Sequence, residues 1–135
     1  MAEDVKSELI EALEKWCSVF DKPEVADQFE GYNKTFQFVF PDVDVQLQMI
    51  IQDKKATIVE GMNENAEMSL EVDSKMFIGI TNKEVDPMEA FMNGDLKPKG
   101  DMADLEKLQV FIEDWYLKNA LFRFIVFYFI PGGRD

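Results

Sequence analysis

The residues of this chain that could carry chemistry are mainly carboxylates. Its 135 residues include 27 aspartates and glutamates, 14 lysines and arginines, one cysteine and no histidine. The lack of histidine excludes Ser-His-Asp and Cys-His nucleophiles and every histidine-based metal site. Two carboxylates with separated pKa values could form an acid–base pair, but no spacing in the sequence places one, and surface acids are the default. We therefore predict no catalytic residue, no metal, no cofactor and no enzyme activity.

Two smaller features have structural interpretations. Cys17 falls on the apolar face of the first predicted helix. That position favours a buried thiol, because reactive thiols need exposed and electropositive surroundings. Asp42 and Asp44 form an Asp-x-Asp motif, but no Gly and Glu follow at the spacing of a calcium loop. These two carboxylates are interpreted as part of a solvated turn.

The formal net charge of -13 limits the partners of the chain. It opposes binding to nucleic acid and to anionic membrane faces, which both attract cations. No apolar run approaches the roughly 20 residues needed to span a bilayer, and the closest, Ala120 to Ile130, contains Arg123. A single cysteine allows no internal disulfide, which is typical of a reducing compartment. We expect a cytoplasmic protein with no nucleic-acid partner and no stable membrane insertion.

The length suits one domain, and no repeat or linker divides residues 1–135, so a single domain is predicted. Apolar residues at helical spacing predict an amphipathic helix over Glu3 to Phe20. Lys22-Pro23 ends that helix, and a short second helix is expected over Glu24 to Phe29.

The pattern then changes to a period of two, which is typical of half-buried strands. Phe36, Phe38 and Phe40 alternate with more polar residues, and a second alternating run covers Val43 to Ile51. With Pro41-Asp42 as the turn between them, these runs predict a hairpin. Further strands are expected over residues 56–62 and 66–72. The result is a largely antiparallel sheet with one polar face.

Helices and one more strand follow the sheet residues. Asp73 is the predicted cap of a helix that runs to about Ile80. The string Asp86-Pro87-Met88-Glu89 is a strong helix start, and Gly94 ends that helix. A short strand over Asp95 to Gly100 contains Pro98, which predicts an edge position or a bulge because proline has no amide hydrogen.

Asp101 is the predicted cap of a final helix whose apolar face includes Leu105 and Leu108. The run from Leu121 to Ile130 is apolar on all sides, so helix and strand cannot be told apart there. Three interpretations stay open for this run: a core element, a lid, or a dimer or membrane contact.

The segment from Ala66 to Gln109 resembles the sterol carrier protein type 2 family. The resemblance lies in the ordered string Asp86-Pro87-Met88-Glu89-Ala90-Phe91-Met92-Asn93-Gly94-Asp95-Leu96-Lys97-Pro98-Lys99-Gly100-Asp101-Met102. It is similar to the family's hallmark stretch: a proline-started helix with Ala-Phe, a Gly, a short Leu-Lys-x-Lys-Gly strand and an apolar helix.

This resemblance implies an α+β fold with a five-stranded, largely antiparallel sheet backed by helices and enclosing an apolar tunnel. Members of the family bind sterols, fatty acids, fatty acyl-CoA esters or phospholipids, and binding needs no catalytic group. The eight methionines and 12 phenylalanines of this chain suit a deformable pocket, because methionine side chains repack easily.

The candidate lining of the tunnel consists of apolar residues in and around the family-like stretch. They are Met76, Phe77, Ile80, Met88, Phe91, Met92, Leu96, Met102, Leu105 and Leu108. Lys97 and Lys99 are the candidate contacts for an anionic headgroup. Ordinary core packing and ordinary surface charge are the alternative interpretations of these two sets.

The leading functional hypothesis is a non-catalytic lipid carrier or sensor. The alternative is an interaction module of the same fold, with a filled core and with a homodimer contact through Leu121 to Ile130.

Overall fold

The computed structural model describes residues 2–108 of the chain, and its centre is a five-stranded sheet. The strands are β1 (Lys34–Phe40), β2 (Val45–Gln52), β3 (Lys55–Glu60), β4 (Met68–Val72) and β5 (Leu96–Gly100). Their order in the sheet is β3-β2-β1-β4-β5. Every neighbouring pair is antiparallel except β1 and β4, which are parallel. The predicted α+β class with a largely antiparallel sheet is confirmed, and among residues 2–108 Pro98 lies on an edge strand, as predicted.

Within residues 2–108, five α-helices accompany the sheet. They are α1 (Ala2–Cys17), α2 (Pro23–Ala26), α3 (Ser74–Thr81), α4 (Pro87–Met92) and α5 (Met102–Leu108). The first helix, predicted to reach Phe20, is α-helical to Cys17 and is followed by a 3₁₀ turn over Ser18–Asp21. The second helix, α2, is followed in the same way by a 3₁₀ turn over Asp27–Phe29. The run from Leu121 to Ile130 lies outside the described residues.

One face of the sheet carries the core. The buried apolar residues of the three central strands recur at every second position and are Phe36, Phe38, Phe40, Val45, Leu47, Met49, Ile51, Met68, Leu70 and Val72. Trp16 of α1 and Phe77 of α3 pack against this inner face, with 5.0 Å between their ring centroids. Phe77 also lies 5.9 Å from Phe38 and 5.4 Å from Phe40, centroid to centroid. Aromatic rings therefore fill the space between α1, α3 and β1.

The connection from β3 to β4, residues 61–67, crosses the opposite, outer face. Gln37 projects to this face, because it alternates with inward-facing phenylalanines, yet its side chain is 2% exposed. Its Nε2 donates to the carbonyls of Leu47 at 3.0 Å and Gly61 at 3.1 Å, and its Oε1 accepts from the Asn63 amide at 2.7 Å. Gln37 thereby fixes the connection onto the sheet.

The start of α3 is held from a distant turn. Asp73 occupies the N-cap position but makes no side-chain cap hydrogen bond, so the sequence-based prediction of its capping role was wrong. Asp42, in the turn between β1 and β2, accepts from the Ser74 amide at 2.9 Å through Oδ1 and from the Ser74 hydroxyl at 2.6 Å through Oδ2. The Asp-x-Asp turn therefore has a structural role in joining α3 to the hairpin.

We predict that Asp42→Ala lowers the free energy of unfolding by about 1–2 kcal/mol, which is typical for loss of a helix cap. Burial acts to raise the pKa of Asp42, but the hydrogen bonds from Ser74, the backbone amide of Asp42 and the charge of Lys75 together lower that pKa below its ordinary 3.8. A lowered folded-state pKa stabilises the fold above the unfolded-state pKa, and this contribution is lost as the pH falls through the folded-state pKa. Urea denaturation at pH 7 and pH 3 measures both effects. Asp73→Ala is the matched control, and an equal loss in that variant would contradict the assignment.

Candidate functional site

Most of the residues predicted to line a tunnel meet in one apolar layer. Phe77 and Ile80 of α3, Leu96 of β5 and Leu105 of α5 are buried in the core. The half-buried residues that pack against this core include Met76, Phe91 and Met102. Met92 differs from them, because 67% of its surface is exposed. Met88 and Leu108 belong to α4 and α5, but their side chains lie outside the description.

The layer is not uniform in character. At β1, the rings of Trp16 and Phe77 occupy the space between sheet and helices. Towards β5, the boundary is formed by α4 and α5, which both contact that strand. There Phe91 and Met102 are neither fully buried nor fully exposed. At such a half-buried boundary, a hydrophobic ligand would take the place of the water that contacts these apolar side chains. The tunnel itself stays a prediction.

The two predicted headgroup lysines lie on the other side of β5. Leu96 of β5 is paired with Val72 on the inner face, whereas Lys97 and Lys99 are paired with Glu71 and Ser69. Both lysines are therefore directed to the outer face, separated from the apolar layer by the edge strand itself. The Lys97 Nζ lies 4.0 Å from a carboxylate oxygen of Glu71.

These lysines line an outer-face pocket of about 360 Å³. The β3–β4 connection forms one wall of this pocket and the strands form its floor. The lining residues are Gln37, Val39, Met62, Asn63, Glu64, Ala66, Ser69, Glu71, Lys97 and Lys99. Two positive and two negative side chains are among them, so the pocket is polar and has no formal net charge.

An ionic cluster around one buried carboxylate, which the sequence alone did not predict, attaches α5 to the segment before β1. Asp104 is 1% exposed. Its Oδ1 accepts from the Tyr32 hydroxyl at 2.5 Å and from Lys34 Nζ at 2.9 Å. Burial raises the pKa of Tyr32, and its hydrogen bond to the Asp104 carboxylate raises that pKa further. The bond to Asp104 also raises the pKa of Lys34. The sequence feature that could have revealed this cluster is the position of Asp104 beside Leu105 on an apolar helix face.

Lys107 adds a second attachment on the same helix. Its Nζ donates to the backbone carbonyl of Gln28. It also lies over the rings of Phe29, at 4.8 Å, and Tyr32, at 5.5 Å, measured to the centroids. An ammonium group over an aromatic face is attracted by the ring electrons. The segment of residues 28–34 thus contacts α5 through both Asp104 and Lys107.

Other potentially reactive groups do not add to this site. Cys17 is half-buried, and burial, with a contribution from Glu14, raises the pKa of its thiol to about 11. The thiol is therefore protonated at neutral pH, as expected for an unreactive cysteine. Among residues 2–108, no three His, Cys, Asp or Glu side chains form a group that could hold a metal ion. Within the same range, no helix is long and apolar enough to cross a membrane.

Comparison with known protein families shows to which family this chain is related. The model of the SCP-2 sterol transfer family matches residues 13–113. The chain belongs to this family. The SCP-2 match begins within α1 and continues past α5, so it includes the whole sheet and every element of the apolar layer.

Solved structures share the SCP-2 fold with this chain. The sterol carrier protein domain 2 of Helicoverpa armigera has a TM-score of 0.61 and 15% identity, covering 80% of this chain and 87% of that one. A UbiJ-SCP2 ubiquinone synthesis protein has a TM-score of 0.57 and 11% identity, covering 84% and 94%. No protein of curated function matches at the sequence level. At these identities the structural likeness shows the fold alone.

The SCP-2 fold also occurs as part of a larger enzyme. The inverting sec-alkylsulfatase Pisa1 from Pseudomonas sp. has a TM-score of 0.55 and 22% identity over 65% of this chain. The present chain spans only 14% of the length of that protein. The likeness therefore concerns one domain of the sulfatase.

Proposed function

We propose that this SCP-2 family domain binds a hydrophobic ligand, namely a fatty acid, a fatty acyl-CoA ester, a phospholipid or a sterol. The ligand lies in an apolar tunnel bounded by β4, β5, α3, α4 and α5. The observation that carries the proposal is the apolar layer in which buried Leu96 and Leu105 adjoin half-buried Phe91 and Met102. Membership of a sterol transfer family supports it.

The chemistry of such a carrier needs no reacting group. Removal of apolar surface from water contributes roughly 25 cal/mol per Å², so burying a long acyl chain provides the main driving force. Neighbouring polar groups then fix the orientation of the headgroup. We accordingly propose that residues 1–135 form one domain that carries the ligand without catalysing a reaction. The net charge of -13 and the single cysteine support a cytoplasmic location and a role without nucleic acid.

Native mass spectrometry of the purified chain, followed by extraction, tests this function directly. A copurified fatty acid, acyl-CoA, phospholipid or sterol would support the proposal and identify the ligand class. Titration with a fluorescent fatty acid then measures affinity. A ligand-free protein that also fails to bind the fluorescent fatty acid would overturn the proposal. In that case, size measurement would test the interaction module and the predicted homodimer through residues 121–130.

We predict that Met102→Gln weakens binding of the fluorescent fatty acid about three- to tenfold. The reason is that a polar amide replaces part of the apolar boundary, at a cost of about 1 kcal/mol. Met62→Gln is the matched control, because Met62 is 59% exposed and lines the outer-face pocket. Fluorescence titration of both variants gives the comparison. Equal weakening by both changes would contradict an inner-face site.

We also propose that Lys97 and Lys99 contact an anionic headgroup that passes around the edge strand β5. A Lys97→Gln, Lys99→Gln double variant is then expected to bind a fatty acid carboxylate about two- to fivefold more weakly at low salt, and less so at high salt, because exposed charges are screened. Binding of the uncharged fatty alcohol should not change. A Lys54→Gln, Lys55→Gln double variant, at the start of the opposite edge strand β3, controls for the same loss of two positive charges. Equal losses with acid and alcohol would refute the headgroup role.

A further inference from the structure

The described residues of α5 combine an apolar wall with ionic attachments. Met102 and Leu105 belong to the apolar layer in which the proposed ligand lies. Asp104, adjacent in sequence, is buried and points away from water into the bonds with Tyr32 and Lys34. One turn of α5 therefore contacts both the apolar layer and the segment that leads into β1.

The chemistry of the Asp104 contact differs from that of the surrounding core. Apolar contacts tolerate small shifts, whereas a hydrogen bond weakens steeply when its length or angle changes. Asp104 Oδ1 has two donors, at 2.5 and 2.9 Å. A buried carboxylate without such donors is strongly disfavoured. The cluster consequently stabilises one position of α5 relative to β1 and opposes intermediate positions.

The partners of Asp104 are also anchored by contacts with residues outside α5. The Tyr32 ring packs edge-on against Phe29 at 5.6 Å and Phe36 at 6.2 Å, centroid to centroid. Lys34 is the first residue of β1, which pairs with both β2 and β4. Tyr32 thus lies just before β1 and Lys34 begins it, while the acceptor belongs to a helix of which seven residues are described. Lys107 also attaches α5 to the segment before β1, so breaking the Asp104 bonds weakens the hold on α5 and leaves the pairing of β1 with β2 and β4 in place.

We propose that Asp104 is the positioning residue of the ligand site, holding α5 closed over the apolar layer through Tyr32 and Lys34. Release of these bonds opens the layer, and the ligand enters and leaves in that state. This inference rests on the proposed function, because it assigns a gate to the same site. Asp104 does not touch the ligand and acts only through the position of Met102 and Leu105.

A gate has a kinetic signature that a wall residue lacks. If entry and exit both pass through the open state, weakening the closed state raises both rate constants by the same factor. The dissociation constant then stays unchanged. Loss of a wall contact instead raises the exit rate alone and weakens the affinity.

The test uses Tyr32→Phe and Asp104→Asn in the full chain, with a fluorescent fatty acid mixed by stopped flow. Tyr32→Phe removes one hydrogen bond to a charged group, so we expect association and dissociation to become about tenfold faster. The dissociation constant should stay within about twofold. Asp44→Asn is the matched control: Asp44 is exposed in the turn that follows β1, at the end of that strand opposite Lys34, and asparagine also tolerates its positive φ. Its rates should equal those of the unaltered chain.

Hydrogen exchange provides a second readout that needs no ligand. Faster exchange of the α5 amides in Tyr32→Phe, with unchanged exchange in β1 and β2, is expected for local opening. Unchanged rates in both variants, or weaker affinity with an unchanged entry rate, would overturn the gate. If Asp104→Asn fails to fold, Tyr32→Phe alone decides the outcome. An unaltered chain that binds no fatty acid overturns the proposed function, and with it the gate, before any variant is compared.

Discussion

Phe77→Ala is expected to lower the free energy of unfolding by about 3–5 kcal/mol, the range found when large core side chains are truncated. Phe77 has no exposed surface, and its ring contacts Trp16, Phe38 and Phe40. Its removal leaves a cavity between α3, α1 and the sheet. Because small domains are stable by only about 5–15 kcal/mol, a large share of the molecules should be unfolded at moderate urea concentrations.

Urea denaturation followed by tryptophan fluorescence measures this loss, since Trp16 lies beside the cavity. Met92→Ala provides the control, because Met92 is exposed on α4 and surface changes usually fall within about 0.5 kcal/mol. A loss below about 1.5 kcal/mol in Phe77→Ala would show that the aromatic half of the layer is loosely packed. The space available to a ligand would then extend towards β1.

Gln37→Ala is expected to cost about 2–4 kcal/mol, although it changes a polar residue on the outer face. The variant leaves the carbonyls of Leu47 and Gly61 and the amide of Asn63 without their side-chain partner. Each buried polar group left unsatisfied costs about 1–3 kcal/mol, reduced wherever water can enter. We therefore expect a loss comparable to that of a core truncation.

Gln52→Ala is the matched control for this change, because Gln52 is exposed at the end of β2. Chemical denaturation gives the stability, and hydrogen exchange of the Asn63 amide reports the local effect. If Gln37→Ala and Gln52→Ala behave alike, residues 61–67 are held by other contacts, and the role assigned to Gln37 is wrong.

Much of the fold could be predicted because its signals are local. The alternation of Phe36, Phe38 and Phe40 predicted a strand with one buried face, and that face is buried. Pro87 marked the first residue of α4 correctly. Pro98 predicted an edge strand, because a residue without an amide hydrogen is disfavoured within a sheet. In each case, neighbours in the chain carried the information.

The missed features depend on residues far apart in the chain. Asp42 and Ser74 are 32 positions apart, and Tyr32 and Asp104 are 72 apart. Periodicity cannot reveal which side chain is brought to a helix end by a turn elsewhere. The parallel pairing of β1 with β4 is likewise set by the path of the intervening chain. In the candidate site, the period of two over Leu96, Lys97 and Lys99 does place both lysines on the face opposite Leu96. What it does not show is which distant elements cover each face.

The edge position of Pro98 also bears on the behaviour of the protein at high concentration. A sheet edge is a template on which another chain can add a strand, and natural proteins discourage this with proline and lysine. On β5, Pro98 offers no amide hydrogen, and the exposed Lys97 and Lys99 flank it with positive charge. Such an edge resists self-association by strand addition. Fibril growth across β5 is thereby disfavoured, and the segment next to the proposed ligand entrance stays accessible.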